Sequence, residues 1–358
     1  MKMTVIGGGN IGTLIAAEMA NQGHAVTVYT SRPERWKRKI SVFDADNHLL
    51  MTGNLSDVTS CMERAVKDAQ IIWITFPAQL FGSLSEQLFP YVSHGQKIGI
   101  IPGSGGAEFA FQKLLEKGCI LFGLQRVHSI ARVKSYGESV YMLGRKNKLY
   151  VGSIPCKESE EISQELENLF NISCDALPNY LSVTLTPSNP ILHTTRLYAM
   201  FRNYTDATVY EKNFLFYEEW DQLSSEMLIA CDKELQDLCE AIPLDLTAVQ
   251  SLRIYYESDN PLAMTKKISG IAAFQGIASP MISCSGGWVP DFSSRYFTAD
   301  FSFGLKIIRD IAALFCVPTS NIDTVWNWYK HVAPKDASEA FHLTLNRKQF
   351  LELYLSHK

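Results

Sequence analysis

The stretch MTVIGGGNIGTLIAAEMANQGHAVTVYT, Met3 to Thr30, decides the fold. It opens on a short apolar run that predicts a strand. Gly7, Gly9 and Gly12 follow in the spacing G-x-G-x-x-G. A helical apolar pattern comes next, and Gly23 suits a left-handed helix end. The alternating HAVTVYT predicts a second strand. Strand, glycine turn, helix and strand is the setting in which this spacing binds a dinucleotide. Gly7 permits the tight turn, Gly9 lets backbone approach a pyrophosphate, and Gly12 lets helix and strand pack closely. Asn10 and Ile11 open the helix whose unpaired N–H groups would face the phosphates. The other reading of these residues is a glycine-rich turn on a decayed site.

The end of the second strand commonly carries an acid that bonds a ribose hydroxyl. Here the chain reads YTSRPERWKRK, with Thr30, Ser31 and Arg32 where the acid would stand. An acid repels a 2′-phosphate, whereas Ser and Arg bind one. The stretch therefore favours NADP(H), with NAD(H) the other candidate. Arg35 to Lys39 read as a solvated helix face.

Further strands alternate with helices. AQIIWITFP (69–77) and QKIGIIPG (96–103) are buried strands, and QLFGSLSEQLFPYV and GAEFAFQKLLEKG are helices. Strand ends of a parallel sheet face the ligand. Pro77, Ala78 and the run Gly103 to Gly106 lie at such ends, as nicotinamide-lining residues or as turns only. Residues 127–155 read as an antiparallel extension, and KESEEISQELENLF as an amphipathic helix. The first domain is expected to span 1–186.

The second, 187–358, is expected to be helical, with periodicity at 190–203, 217–241, 245–256, 302–316, 320–333 and 337–355. Its dense aromatics read mainly as core. An α/β domain followed by a helical one leaves substrate a cleft between them.

SNPILHTTRLY, Ser188 to Tyr198, carries the histidine that stands out. Asn189 is suited to cap a helix and Pro190 to its first position. His193 then lies in the first turns, where the helix's partial positive charge favours the neutral imidazole. A neutral histidine with a carboxylate partner suits acid/base work. The same spacing also fits a satisfied histidine on a capped helix. His128 is a second candidate. His24, His48, His94, His331, His342 and His357 read as surface or structural. RYFTADFSFGL offers Arg295 and Asp300. A guanidinium suits a carboxylate substrate and Asp300 suits an imidazole, although an N-cap role fits Asp300 equally.

The 358 residues are 46% hydrophobic and 20% charged, enough for a large core. A net charge of −4 offers no phosphate-neutralising surface, so nucleic acid is not an expected partner. Eight irregularly spaced cysteines read as buried thiols of a reducing compartment. No Cys and His cluster of the zinc type is visible, and no metal is expected. No apolar run approaches a membrane span and no leader pattern precedes Met3, so a cytoplasmic location without membrane contact is expected. The oligomeric state stays open, a homodimer included.

Taken together, three stretches resemble the octopine/nopaline (opine) dehydrogenase family: ARVKSYGESVYMLGRKNKLYVGSIP, SNPILHTTRLY and RYFTADFSFGL. The resemblance spans most of the chain in the right order. It implies an α/β plus all-α chain: a Rossmann-type dinucleotide-binding domain, then a helical domain, in a 6-phosphogluconate dehydrogenase-like architecture. It also implies an NAD(P)H-dependent oxidoreductase acting on CH–NH donors. An amino acid amine would condense with a 2-oxo acid such as pyruvate, and hydride would reduce the imine. His193 would be the acid/base and Asp300 its orienting partner. Arg295 would bind the oxo-acid carboxylate, with Asn189 beside the substrate. LQRVHSIARV and TAD depart from the family pattern, which leaves the second substrate open. A 2-oxo acid reductase of the ketopantoate kind would carry a lysine where SNPILH has none. A non-catalytic NADP(H) sensor would need only the glycine loop.

Overall fold

A computed structural model describes residues 1–333 and 340–355. The chain divides into two units, Met1–Thr184 with a return at Gln349, and Leu185–Lys348. His357 and residues 337–339 of the last expected helix lie outside the described residues.

The first unit is built on the opening stretch. Strand β1 (Lys2–Ile6) has every side chain after Lys2 buried. The helix Asn10–Asn21 follows and ends two residues before Gly23, whose φ is +83°. Next come β2 (Ala25–Tyr29), β3 (Lys39–Phe43), β4 (Leu49–Asn54), β5 (Asp57–Thr59), β6 (Ile71–Ile74), β7 (Lys97–Ile100) and β8 (Ile120–Leu124). Then come β9 (Ser129–Ser135), β10 (Ser139–Arg145), β11 (Lys148–Ile154) and β12 (Ser173–Ala176). One sheet has the order β12-β11-β8-β7-β6-β1-β2-β5. The six strands from β8 to β5 run parallel, and β11 joins β8 antiparallel. Parallel strands need cover on both faces, which is why IIWI of β6 is buried throughout.

A second sheet, β4-β3-β10-β9, lies within the same unit. β9 and β10, expected as an antiparallel extension, pair antiparallel. β3 and β4 were not expected, and the basic run before them, expected as a helix face, is not α-helical. Pro33–Arg35 is only a 3-10 turn, and Lys39 already belongs to β3. The basic residues face solvent from a turn and the start of a strand, where Lys37 meets Glu138 and Arg38 meets Asp57. Met3, Val5, Leu14, Ile15, Val26, Trp73 and Phe122 belong to the core of this unit.

In the second unit the helices Asn189–Phe201, Gln222–Ala241 and Ser320–Val332 carry the packing. The helix expected over 245–256 is a single turn, Leu252–Tyr255, and Pro261–Ser269 forms a helix the periodicity did not show. Met281–Cys284 and Gly287–Pro290 pair as a hairpin. The expected 302–316 helix begins as a π-helical turn, Phe301–Leu305, before regular helix Lys306–Phe315. The last helix is Arg347–Leu355. Gln349 onward falls in the first unit rather than the second, as Phe109 and Phe350 stack at 6.1 Å there.

All eight cysteines are free, and Cys61, Cys284 and Cys316 are exposed rather than buried. Among the described residues no helix is long and apolar enough to cross a membrane.

Candidate active site

The glycine loop comes first. Gly7 has φ +118°, a conformation side chains rarely adopt. A Cβ on Gly12 would stand 1.9 Å from the carbonyl oxygen of Gly7, so helix and strand touch there backbone to backbone. A Cβ on Gly9 would meet nothing within 4 Å. That open space lies in front of a helix start whose first N–H groups have no partner within the helix. This is the cradle a pyrophosphate needs. Asn10 holds it in place, its Oδ1 accepting from the Val133 N–H at 2.8 Å. Ile11 is part-buried against the core.

At the end of β2, Thr30 is buried, and its hydroxyl lies 3.2 Å from that of Tyr136. Ser31 and Arg32 are exposed. Arg32 forms no ion pair among the described residues. Pro77 and Ala78 sit half-buried just after β6. Gly103 is committed to packing, since a Cβ there would lie 2.6 Å from Val183.

His128 is removed from the catalytic candidates. It is fully buried in the first unit, its Nε2 2.8 Å from Glu18 and its ring against Phe170. Burial favours the neutral form of Glu18, but His128 and Arg145 outweigh it and hold that carboxyl below its usual value. His24 lies against the chain's amino group. His48 bonds Asp44, and with Asp46 they form a surface group whose ligand atoms fall within 4.8 Å of one another. Such exposed acidic groups are common without an ion.

In the second unit the structure brings His193 and Asp300 together. Nδ1 of His193 is 2.8 Å from Oδ2 of Asp300. An ionised carboxylate only accepts, so Nδ1 carries the proton and donates. On the neutral ring Nε2 is then an acceptor, and it lies 2.8 Å from the Tyr217 hydroxyl. His193 is 7% exposed, with Tyr296 tilted over its ring at 4.6 Å and Phe216 edge-on at 5.5 Å.

The local structure explains the meeting. The helix starts one residue earlier than Asn189 predicts. Ser188 is the N-cap, without a side-chain cap bond, and its carbonyl accepts from Leu192. Asn189 is the first helical residue and is exposed, with Oδ1 3.4 Å from the Ser188 hydroxyl. Asp300 precedes the π-helical turn but makes no side-chain cap bond, which leaves its carboxylate to the imidazole. π-helical turns are frequent at functional sites. Arg295 opens the short helix Arg295–Thr298 and is exposed. Its guanidinium pairs with no acid among the described residues.

Tyr217 and Arg196 were missed by the sequence reading. Arg196 is buried one turn after His193 on the same helix. It donates to the carbonyls of Phe216 and Glu219 and to the Ser224 hydroxyl. Burial lowers its pKa to about 10 despite Asp221 and Glu219 nearby. The buried arginine in HTTRLY was the available signal, as a buried charge needs partners.

Residues 176–333 match the description of the NAD/NADP octopine/nopaline dehydrogenase alpha-helical domain. The helical part of the chain is therefore similar to that of opine dehydrogenases. Residues 2–117 match the N-terminal domain of NAD-dependent glycerol-3-phosphate dehydrogenase, a dinucleotide-binding domain. Among relatives, tauropine dehydrogenase of Arabella iricolor is 27% identical, over 93% of this chain and 92% of its own. Octopine dehydrogenase of Mizuhopecten yessoensis is 24% identical, over 92% and 89%. A structure of octopine dehydrogenase with NADH and L-arginine shares the fold at TM-score 0.82, with 24% identity over 92% of this chain and 89% of that one.

Proposed function

We propose that this chain is an NAD(P)H-dependent opine dehydrogenase that condenses an amino acid amine with a 2-oxo acid of the pyruvate kind and reduces the resulting imine. The observation that carries the reading is the His193–Asp300 pair, in a family whose members act on CH–NH bonds.

Gly7, Gly9, Asn10, Ile11 and Gly12 would hold the pyrophosphate, and Thr30, Ser31 and Arg32 the adenosine end. With no acid at that end and an unpaired Arg32, NADP(H) is the proposed preference, with NAD(H) also accepted. Pro77 and Ala78 would flank the nicotinamide. Bound there, the dinucleotide supplies the hydride.

The rest falls to side chains. Arg295 takes the oxo-acid carboxylate in its fork, and Asn189 contacts substrate at the helix start. His193, its Nδ1 proton held by Asp300, accepts a proton from the substrate ammonium. Asp300 stabilises the imidazolium so formed. The same proton then goes to the carbinolamine hydroxyl, which leaves as water, and the imine remains for reduction. A sensor of NADP(H) has no use for a buried carboxylate–imidazole pair. Sequence and fold are compatible with a cytoplasmic enzyme of small-molecule substrates.

His193→Gln tests the assignment. Its turnover should fall by roughly 10²- to 10⁴-fold, the usual worth of a general acid/base. NADPH affinity should stay at the wild-type value. Unchanged turnover removes His193 from the mechanism.

A further inference from the structure

The His193 ring has two nitrogens, and both are engaged. Asp300 holds Nδ1, so only Nε2 remains to exchange a proton with substrate. That nitrogen faces the Tyr217 hydroxyl at 2.8 Å, and Tyr217 is 5% exposed.

Tyr217 is not placed to swing aside. Its ring stacks on Phe274 at 4.2 Å and 22°, and lies parallel to Trp220 at 6.4 Å. The backbone beside it is pinned on both sides. The Phe216 N–H donates to the Ile277 carbonyl at 2.8 Å, and Arg196 donates to the carbonyls of Phe216 and Glu219. Arg196 sits on the His193 helix, so one rigid element fixes both partners of the contact.

We propose that Tyr217 is a catalytic residue of this reaction, a proton relay between substrate and His193 Nε2. The proposal rests on the opine dehydrogenase reading above. A phenol has one O–H and two acceptor positions. With the O–H serving Nε2, the oxygen's acceptor positions are those that receive a donor such as the substrate ammonium. The substrate ammonium gives a proton to the Tyr217 oxygen as the Tyr217 proton passes to Nε2. The freed amine attacks the oxo carbon, and a second nitrogen proton moves to the carbinolamine oxygen. The relay then runs backwards: imidazolium returns its proton to Tyr217, and Tyr217 protonates the leaving hydroxyl. Two hydrogens have left nitrogen and two have left as water, and no net proton stays on the protein. Hydride closes the sequence by reducing the imine carbon.

Such a relay never needs a phenolate. Burial first, then Tyr296, Tyr256 and Asp300, push the Tyr217 phenol above the usual tyrosine value. It therefore remains a hydroxyl at neutral pH, able to pass one proton only while receiving another.

The test measures NADPH oxidation with pyruvate and a panel of amino acids, in wild type, Tyr217→Phe and His193→Gln. The relay predicts that Tyr217→Phe loses about 100-fold in kcat, as for loss of a general acid/base. The KM for pyruvate and the NADPH affinity stay near wild type. A second measurement needs no variant. Two protons moving together make the wild-type rate in H2O/D2O mixtures bow below a straight line, and a linear dependence overturns the relay. Tyr217→Phe within about threefold of wild type beside an inactive His193→Gln overturns the relay and leaves the functional reading standing. Wild type inactive with every amine, or both variants fully active, overturns both.

Discussion

A Cβ placed on Gly304 would lie 3.0 Å from Cγ of Pro190 and 3.1 Å from its Cβ. The π-helical turn Phe301–Leu305 thus rests directly on the start of the His193 helix. Asp300 stands just before that turn, and His193 three residues after Pro190. The bare glycine lets two segments about a hundred residues apart bring carboxylate and imidazole to hydrogen-bond distance. Gly304→Val would wedge them apart. A misplacement of about 1 Å costs on the order of 100-fold in rate. The variant should lose turnover on that scale and keep its NADPH affinity, measured by steady-state kinetics and by titration. Wild-type kcat in this variant would show that the approach of turn to helix does not govern the pair.

Arg32 concerns the cofactor. It is exposed at the end of β2 and unpaired among the described residues. A hydrogen bond to a charged group contributes about 1.5–3 kcal/mol. Arg32→Ala should therefore weaken NADPH by about 10- to 100-fold and leave NADH nearly unchanged. A wild-type protein that binds NADH alone contradicts the assignment of Ser31 and Arg32.

Not all of this was legible in the chain. The β1–glycine–helix–β2 unit was, because close packing at Gly7 and Gly12 demands glycines at fixed spacing. His193 was legible as a candidate, because proline and polar residues announce a helix start. The cap itself moved to Ser188, since the first helical bond is decided by which carbonyl Leu192 reaches. The β3–β4 pair was hidden. Its strands are partly exposed, and β3 pairs with β10 about a hundred residues away, so neither composition nor local period marks it. Tyr217 was hidden among the aromatics of NFLFYEEW. Only the fold shows which ring meets the imidazole, and which ones merely pack.

Glu108 provides a pH signature. It is wholly buried, with one carboxyl oxygen accepting from Thr184 at 2.5 Å and from Tyr354 at 3.0 Å, and the other without a partner. Burial raises its pKa from 4.5 to about 7, against the lowering effect of these bonds. Between those values the native state keeps a proton that the unfolded chain has released. Its stabilising contribution is thus full below about pH 4.5, is lost as pH rises to about 7, and changes no further above that. The total is on the order of 3 kcal/mol. Glu108→Gln stays neutral, so the difference in stability between variant and wild type should grow over this window in chemical denaturation. A difference that does not vary with pH contradicts the burial of a protonated carboxyl here.

The central claim is that two organic substrates meet in one reduction. Its most direct measurement is NADPH oxidation with pyruvate, with and without each of a panel of amino acids, with the product mass determined. The account predicts oxidation that requires the amine, and a product equal to amino acid plus pyruvate plus two hydrogens less one water. Oxidation with pyruvate alone, yielding the hydroxy acid, would contradict it.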